Sequence, residues 1–368
     1  MTRLFKLRDI TIYKDIQYYC GPGPSSVLLP GGRILVAFRR ARDWTSEGVI
    51  AHGFPSTEAC LTCSDDEGCS WSKPVVFTAG NITNQNLLRL PNGVLLCLTQ
   101  RGELVPLKVY EKWKDQKPFH YNEAFGWAHA SFGVQVMRSF DDGLTWEGPF
   151  FISPVPDIDP IFPDWPSPSG LRASPITLQD GAVGVAVYGL RGGKRRSGNV
   201  WFMTSTDFGE TWIPRGRIAD DPDGTHYPNE TSVYQCESGK LVAFMRIENT
   251  SERLLCTSES HDSGVNWSPW QPQKIKGHPF QAARLSTGQV LLAYGYRHAP
   301  MGVRACLLDA NCDNLDTTQE LILRDDGGSF DLGYPHVLPL PGGKALVTYY
   351  HNVDNGLRFV TGSLVEVK

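Results

Sequence analysis

An eight-residue phrase, Ser-x-Asp-x-Gly-x-x-Trp, occurs four times in this 368-residue chain: SDDEGCSW (64–71), SFDDGLTW (139–146), STDFGETW (205–212) and SHDSGVNW (260–267). Each reads as a tight turn with its own anchor. The Asp carboxylate accepts backbone N–H bonds, Gly supplies a positive φ, the Ser hydroxyl satisfies a further local group, and the Trp packs beneath. A complete turn used several times marks one supersecondary unit repeated, so the chain folds as an array of like modules. Turn chemistry accounts for Asp66, Asp141, Asp207 and Asp262, and none of them is a catalytic candidate.

A second repeat runs out of phase with the first. Six segments read as strand, Gly turn, strand: SVLLPGGRILVAFRR, LLRLPNGVLLCLTQR, ITLQDGAVGVAVYG, VYQCESGKLVAFMR, ARLSTGQVLLAYGYR and VLPLPGGKALVTYYH, turning at Gly32, Gly93, Gly181, Gly239, Gly288 and Gly343. Apolar runs bounded by Gly, Asn, Asp and Pro are strand signals, and pairs of them around a Gly are hairpins. Five of the six hairpins are followed by a turn phrase once LLDANCDN (307–314) is counted as a degenerate copy. Hairpin, third strand, turn phrase and fourth strand make a four-stranded antiparallel blade. Six blades in a closed ring predict an all-β fold, a six-bladed β-propeller spanning residues 1–368 as a single domain. The last blade has no phrase of its own; LRFVTGSLVEV (357–367) would supply its third strand and LRDITIYK (7–14) the strand that closes the ring.

A net charge of −4 argues against a nucleic-acid partner, and RGGKRRSG (191–198) reads as a solvated basic hairpin tip. No apolar run approaches a membrane span. The opening MTRLFKLRDITIYK lacks the apolar core of a signal peptide, so a cytoplasmic protein is expected, a removed leader aside. Nine cysteines, an odd count, favour free thiols. Cys60, Cys63 and Cys69 have no fourth ligand at zinc-site spacing, and the His residues at 226, 278, 298, 336 and 351 have no metal-ligand spacing, so neither metal nor cofactor is expected. Three stretches break the rhythm, at 42–58, 102–131 and 151–170. Their Trp113, His120, Tyr121, Trp127, His129 and Trp165 form either a sugar-stacking wall or packing at the rim.

With its repeated phrases the chain resembles the sialidase (neuraminidase) superfamily, whose six-bladed propellers carry such turns as Asp-boxes, and the resemblance covers nearly the whole chain. NETSVYQCESGKLVAFMR (229–246) is similar, without a gap, to the segment in which Asn-Glu-Ser opens a strand and an Arg closes the hairpin, which points to Glu230 and Arg246. YPHVLPLPGGK (334–344) is similar to the segment headed by the family's nucleophilic tyrosine, here Tyr334. AYGYRHAPMGVRACLLD (293–309) resembles the stretch that supplies the third arginine of the family triad, at Arg297, with Arg304 as second choice. His336, two residues beyond Tyr334, is expected near the site.

The resemblance implies a glycoside hydrolase acting at a chain end and releasing sialic acid or a related 2-keto acid sugar. Arginines would clamp the carboxylate on the anomeric carbon through bidentate, charge-assisted bonds. A neutral Tyr approaches that carbon more readily than a carboxylate would, and a neighbouring Glu takes its proton. Tyr334 with Glu230, and Arg246 with Arg297, are therefore the expected catalytic and substrate-binding sets. Two positions depart from the family together: Pro22 stands where the first arginine belongs, and Tyr350 where the Glu supporting it belongs. For the acid/base the loop RRARDWTSEGVIAHGF (39–54) offers Asp43, Glu47 and His52. Asp43 comes first, because Arg40 and Arg42 beside it would bind substrate hydroxyls, and His52 second. A glycosidase for another acidic or neutral sugar and a non-catalytic carbohydrate-binding propeller are the alternatives; oligomeric state is left open.

Overall fold

The computed structural model describes residues 3–49, 52, 54–190 and 198–368, so the basic tip at 191–197 lies outside the described residues. Strands dominate throughout. After β1 (Leu4–Tyr13) and β2 (Tyr18–Cys20), the first hairpin is β3 (Ser25–Leu28) and β4 (Ile34–Arg42), followed by β5 (Thr57–Ser64) and β6 (Val75–Arg89). The second module adds β7 (Leu95–Val105), a short helix α1 (Leu107–Trp113), β8 (His120–Asn122), β9 (Trp127–Ser139) and β10 (Glu147–Phe151). Three regular modules follow: β11 (Ile176–Thr177), β12 (Val183–Leu190), β13 (Gly198–Ser205) and β14 (Ile213–Asp220); β15 (Tyr227–Gln235), β16 (Leu241–Glu248), β17 (Leu254–Ser260) and β18 (Gln271–Lys276); β19 (Phe280–Arg284), β20 (Val290–Tyr296), β21 (Met301–Leu308) and β22 (Glu320–Gly327). The chain ends with β23 (Gly333–Pro339), β24 (Lys344–His351) and β25 (Phe359–Val367).

Each regular module is a four-stranded antiparallel sheet in chain order, and β23, β24 and β25 are completed by β1, which pairs with β25 from Leu4 opposite Val367 onward. The first two modules are joined in one nine-stranded sheet because the 15-residue β6 serves both. Residues 75–80 pair with β5 and residues 81–89 with β7. Inner and middle strands are apolar on both faces, as in VLLAYGY of β20, since both faces pack on neighbouring sheets. The outer β1 alternates buried or half-buried with exposed positions, the pattern of a strand with one face in water.

The cores lie between successive modules. Leu35 and Leu61 meet Leu95 and Cys97; Leu96 and Val136 meet Val183 and Val187; Phe202 meets Leu241 and Ala243. Phe244 meets Leu292 and Cys306, Leu291 meets Val347 and Val365, and Leu346 and Val360 return to Ile34 and Val36. The last module therefore packs on the first.

The turn phrases have the expected chemistry with one addition. Ser64 Oγ donates to Asp66 Oδ1 at 2.8 Å, Gly68 N donates to Ser64 Oγ at 2.8 Å, and Ser70 N donates to Asp66 Oδ1 at 2.8 Å. The same bonds recur at Asp141, Asp207 and Asp262. The residue before each Gly also has positive φ: Glu67, Asp142, Phe208 and Ser263 at 54–61°. The indole N–H of Trp146, Trp212 and Trp267 closes the turn on the Gly carbonyl. The nine cysteines are free thiols, and among the described residues no helix is long and apolar enough to cross a membrane.

Candidate active site

Three innermost strands carry a two-residue interruption of their pairing: Asn84 and Gln85 on β6, Asn229 and Glu230 on β15, Tyr334 and Pro335 on β23. A bulge of this kind re-aims a side chain that the regular pleat would send into a sheet face. Asn84 (φ 59°) and Tyr334 (φ 52°) both sit in the left-handed region. Asn84, Glu230 and Tyr334 converge on a cavity of about 330 Å³, which Pro22, Thr83, Gln100, Tyr188, Phe330 and Tyr350 also line. Two guanidiniums, from Arg246 on β16 and Arg297 just after β20, complete its wall. A larger groove of about 790 Å³ lies elsewhere, bordered by turn-phrase residues such as Asp141, Gly143 and Trp146.

Tyr334 Oη donates a short hydrogen bond to Glu230 Oε1, and Arg246 Nη1 donates to Glu230 Oε2 at 2.7 Å. Arg246 also pairs with Glu248. Burial works against ionisation of Glu230, but Arg246, the Tyr334 hydroxyl and Arg172 outweigh it and hold the carboxyl below its usual range. Burial and the neighbouring Glu230 charge push the Tyr334 phenol up to about 12 against the pull of Arg246 and Arg297. At neutral pH the pair is thus a protonated phenol on an ionised carboxylate. Arg297 donates to the Leu332 carbonyl at 3.1 Å and forms no ion pair among the described residues; its Nε is buried without a partner.

Of the other expected residues, Arg304 is spent on backbone carbonyls, including Pro300 O at 3.2 Å, and on Glu320 at 3.4 Å, and it does not line the cavity. Arg40 lies away from the cavity as well, stacked 4.1 Å over the Tyr18 ring and bonded to Glu58 (2.7 Å) and Tyr13 (2.8 Å). Its neighbour Arg39 is the one that points inward, since adjacent strand residues face opposite ways. Arg42 is exposed, and the Asp43 carboxylate caps Thr45 N at 2.9 Å outside the cavity wall. His52 does border the cavity, with 43% of its side chain exposed. The aromatic side chains of the insertions pack on one another: Tyr121 stacks on Tyr110 at 5.0 Å, and His129 contacts His120 and Trp127, each at 5.1 Å. His336 is buried against Ser26, and burial together with Arg172 lowers it to about 3.

Where the ion pair of the first arginine was expected to be lost, a different one stands. Asp331 accepts from Arg358 Nε (2.9 Å), Tyr19 (2.7 Å), Tyr350 (2.9 Å) and His52 Nε2 (3.1 Å). Burial opposes its charge, yet the bonds from His52, Tyr19 and Tyr350 keep it well below the carboxylate range. His52 Nδ1 faces Arg39 Nη2 at 3.2 Å. A guanidinium only donates, so Nδ1 accepts and the ring proton sits on Nε2, toward Asp331 and Tyr19. Desolvation of the part of the ring packed on the cavity wall, with Arg39 and Arg297 beside it, depresses the His52 pKa against the pull of Asp331. Gly21 and Gly23 make room for this arrangement: a Cβ on Gly21 would fall 1.9 Å from the Arg39 guanidinium, and one on Gly23 2.6 Å from Asn84. Arg39, Arg172, Asp331 and Arg358 escape a reading of the sequence, because no local motif marks them.

A model of the BNR repeat-like domain family matches residues 51–347. No curated protein matches significantly. Among solved structures, a protein of unknown function from Dyadobacter fermentans is 29% identical over 99% of both chains, with a TM-score of 0.89. The Hadza microbial sialidase Hz136 is 16% identical, with 95% of this chain and 66% of that one covered and a TM-score of 0.66. The Penicillium chrysogenum α-L-arabinanase, complexed with arabinobiose, is 13% identical over 98% of both chains, also at 0.66. The last two likenesses are of fold. With four-stranded antiparallel modules carrying the repeated turn, and a matching domain over most of its length, the chain belongs to the BNR repeat-like domain family.

Proposed function

We propose that this protein is a glycoside hydrolase of the sialidase type, a single six-bladed propeller that releases a terminal 2-keto acid sugar through Tyr334. The short Tyr334–Glu230 hydrogen bond at the floor of a guanidinium-lined cavity carries this reading. Tyr334 Oη attacks the anomeric carbon as the bond to the leaving oxygen breaks, and the phenol proton passes to Glu230. The leaving oxygen takes a proton from protonated His52; water then attacks the anomeric carbon, giving its proton back to His52, as the phenolate oxygen departs and recovers its own proton from Glu230. Arg297, with donors and no carboxylate partner, holds the substrate carboxylate beside Arg246. Support for six blades is the unbroken run of inter-module cores, with β6 counted once in each of the two modules it joins. His52, which borders the cavity, takes precedence over Asp43 as the group that serves the leaving oxygen.

The test is hydrolysis of aryl α-glycosides of sialic acid, of Kdn and of neutral sugars, with binding of a 2-keto acid sugar and of its carboxyl-reduced analogue measured in parallel. Turnover of acidic glycosides, and tighter binding of the acid than of the analogue, are expected. Equal binding of the two would place a neutral sugar in the site, a reading also supported by Pro22 and Tyr350 standing where the first arginine and its Glu were expected. Binding without turnover of any glycoside would leave a carbohydrate-binding propeller.

A further inference from the structure

Arg172 is 1% exposed, and neither the cavity nor any turn phrase uses it. It follows the Pro-rich insertion, on a segment pinned by Gly170 N to Tyr188 O (2.8 Å) and by Asn84 Nδ2 to Leu171 O (3.0 Å). Its Nη2 donates to the Pro335 carbonyl at 2.7 Å, its Nε has no partner, and it forms no ion pair among the described residues. A guanidinium this buried is costly, and an apolar side chain would fill the same space at less cost. What it faces is the nucleophile: its Cζ lies 4.9 Å from the centre of the Tyr334 ring, and that of Arg297 lies 5.4 Å from the same point. Burial brings the Arg172 pKa down to about 10, with Glu230 and Tyr334 raising it, so it stays charged at neutral pH.

We propose that Arg172 is a positioning residue for Tyr334, a fixed cation beside the phenol ring that stabilises negative charge on it as the proton moves to Glu230 and again when the sugar departs. Besides Arg172, the charged and titratable groups around that ring are Tyr188 from β12, Glu230 from β15, Arg246 from β16, Arg297 after β20 and Tyr350 from β24. Glu230 is already paired with Arg246. That leaves Arg172 and Arg297 to offset a developing phenolate, and Arg297 is the one the carboxylate of a substrate would occupy. Arg172 has no other claim on its charge. A preorganised cation in a dry site acts on developing charge without reorganisation at the moment of reaction.

The inference rests on Tyr334 as nucleophile, and two measurements separate its failure from failure of that reading. With an aryl glycoside that the parent hydrolyses, Arg172→Met and Arg172→Gln should lose kcat by about 10²-fold with little change in KM. Arg172→Lys should recover part of the loss. Independently of any glycoside, acetylation of Tyr334 by N-acetylimidazole, followed by peptide mass spectrometry, should slow in the Met and Gln variants and recover in the Lys variant. Should Arg172→Met fail to fold, Arg172→Gln against Arg172→Lys carries the comparison. Folded neutral variants with parental kcat and parental acetylation, or a Lys variant no better than Gln, would overturn the proposal.

Discussion

Tyr334 holds a φ of 52° beneath its neighbours, a strained conformation costing on the order of 1–3 kcal/mol that the surrounding bonds must hold in place. Tyr334→Phe keeps the ring and its two cations, so it should fold normally while kcat falls on the order of 10⁴-fold or more. Near-parental turnover in a folded variant would take the nucleophile's role from it. Arg297→Ala should weaken binding of an acidic sugar by about 2–5 kcal/mol, measured by calorimetry, and leave binding of a carboxyl-reduced analogue nearly unchanged. His52 sets a pH dependence: its pKa lies below the usual imidazole value, so it is neutral at pH 7 and charges only as the pH falls. With a poor leaving group kcat should therefore rise toward acid, until Glu230 takes up a proton, whereas with an activated aryl group it should stay flat. A flat profile for both would remove His52 as the acid. Glu230, Tyr334, Arg246 and Arg297 were named from contiguous stretches that resemble a family's segments, and the fold brings all four to one cavity. Arg40 faces away from the cavity because which of two adjacent strand residues turns inward depends on a register that the sequence does not print, and Asp43, just past the strand, is spent on Thr45 N.

At the scale of elements, strands and turns were legible because Gly-centred hairpins and the Asp-box phrase carry their own chemistry. Asp207→Ala removes the acceptor for Ser205 Oγ, Thr211 N and Thr211 Oγ1, and should lower the denaturation free energy by about 1–3 kcal/mol with kcat unaltered. A fall in kcat at unchanged stability would mean that the turn serves the site after all. The bulges at Asn84, Glu230 and Tyr334 were not legible. A bulge adds residues without altering the apolar count, and only the pairing partners reveal it. The shared β6 was missed for a related reason: VVFTAGNITNQNLLR reads as two strands with a polar gap, yet the pairing runs through without a turn.

The whole molecule was legible as a repeat array with its last module sewn to its first, down to the segment that does the sewing; what escaped were the polar links that only the assembled centre brings together. Asp331 and Arg358 are such a link, with side chains 5% and 4% exposed. Asp331→Asn should cost about 3–5 kcal/mol at pH 7. Because the folded pKa of Asp331 is depressed, its contribution is present above the unfolded carboxylate value near 4 and is lost as pH falls below it toward the folded value. Urea midpoints should consequently fall more steeply in the parent than in Asp331→Asn between about pH 4 and pH 2; parallel curves would contradict the assignment. The seam itself has a consequence for biogenesis. Asp9 and Ser363, bonded at 2.8 Å across β1 and β25, are 354 positions apart. During synthesis β1 emerges before the other strands of this array, and its partner after them. Until β24 and β25 are made, Ile10 and Ile12 lack the part of their core that Leu346, Val360 and Leu364 supply, and the backbone of β1 offers a bare edge to any extended chain nearby. The first strand out is the last to be placed, and every partly made chain must be kept from pairing with its neighbours in the interval.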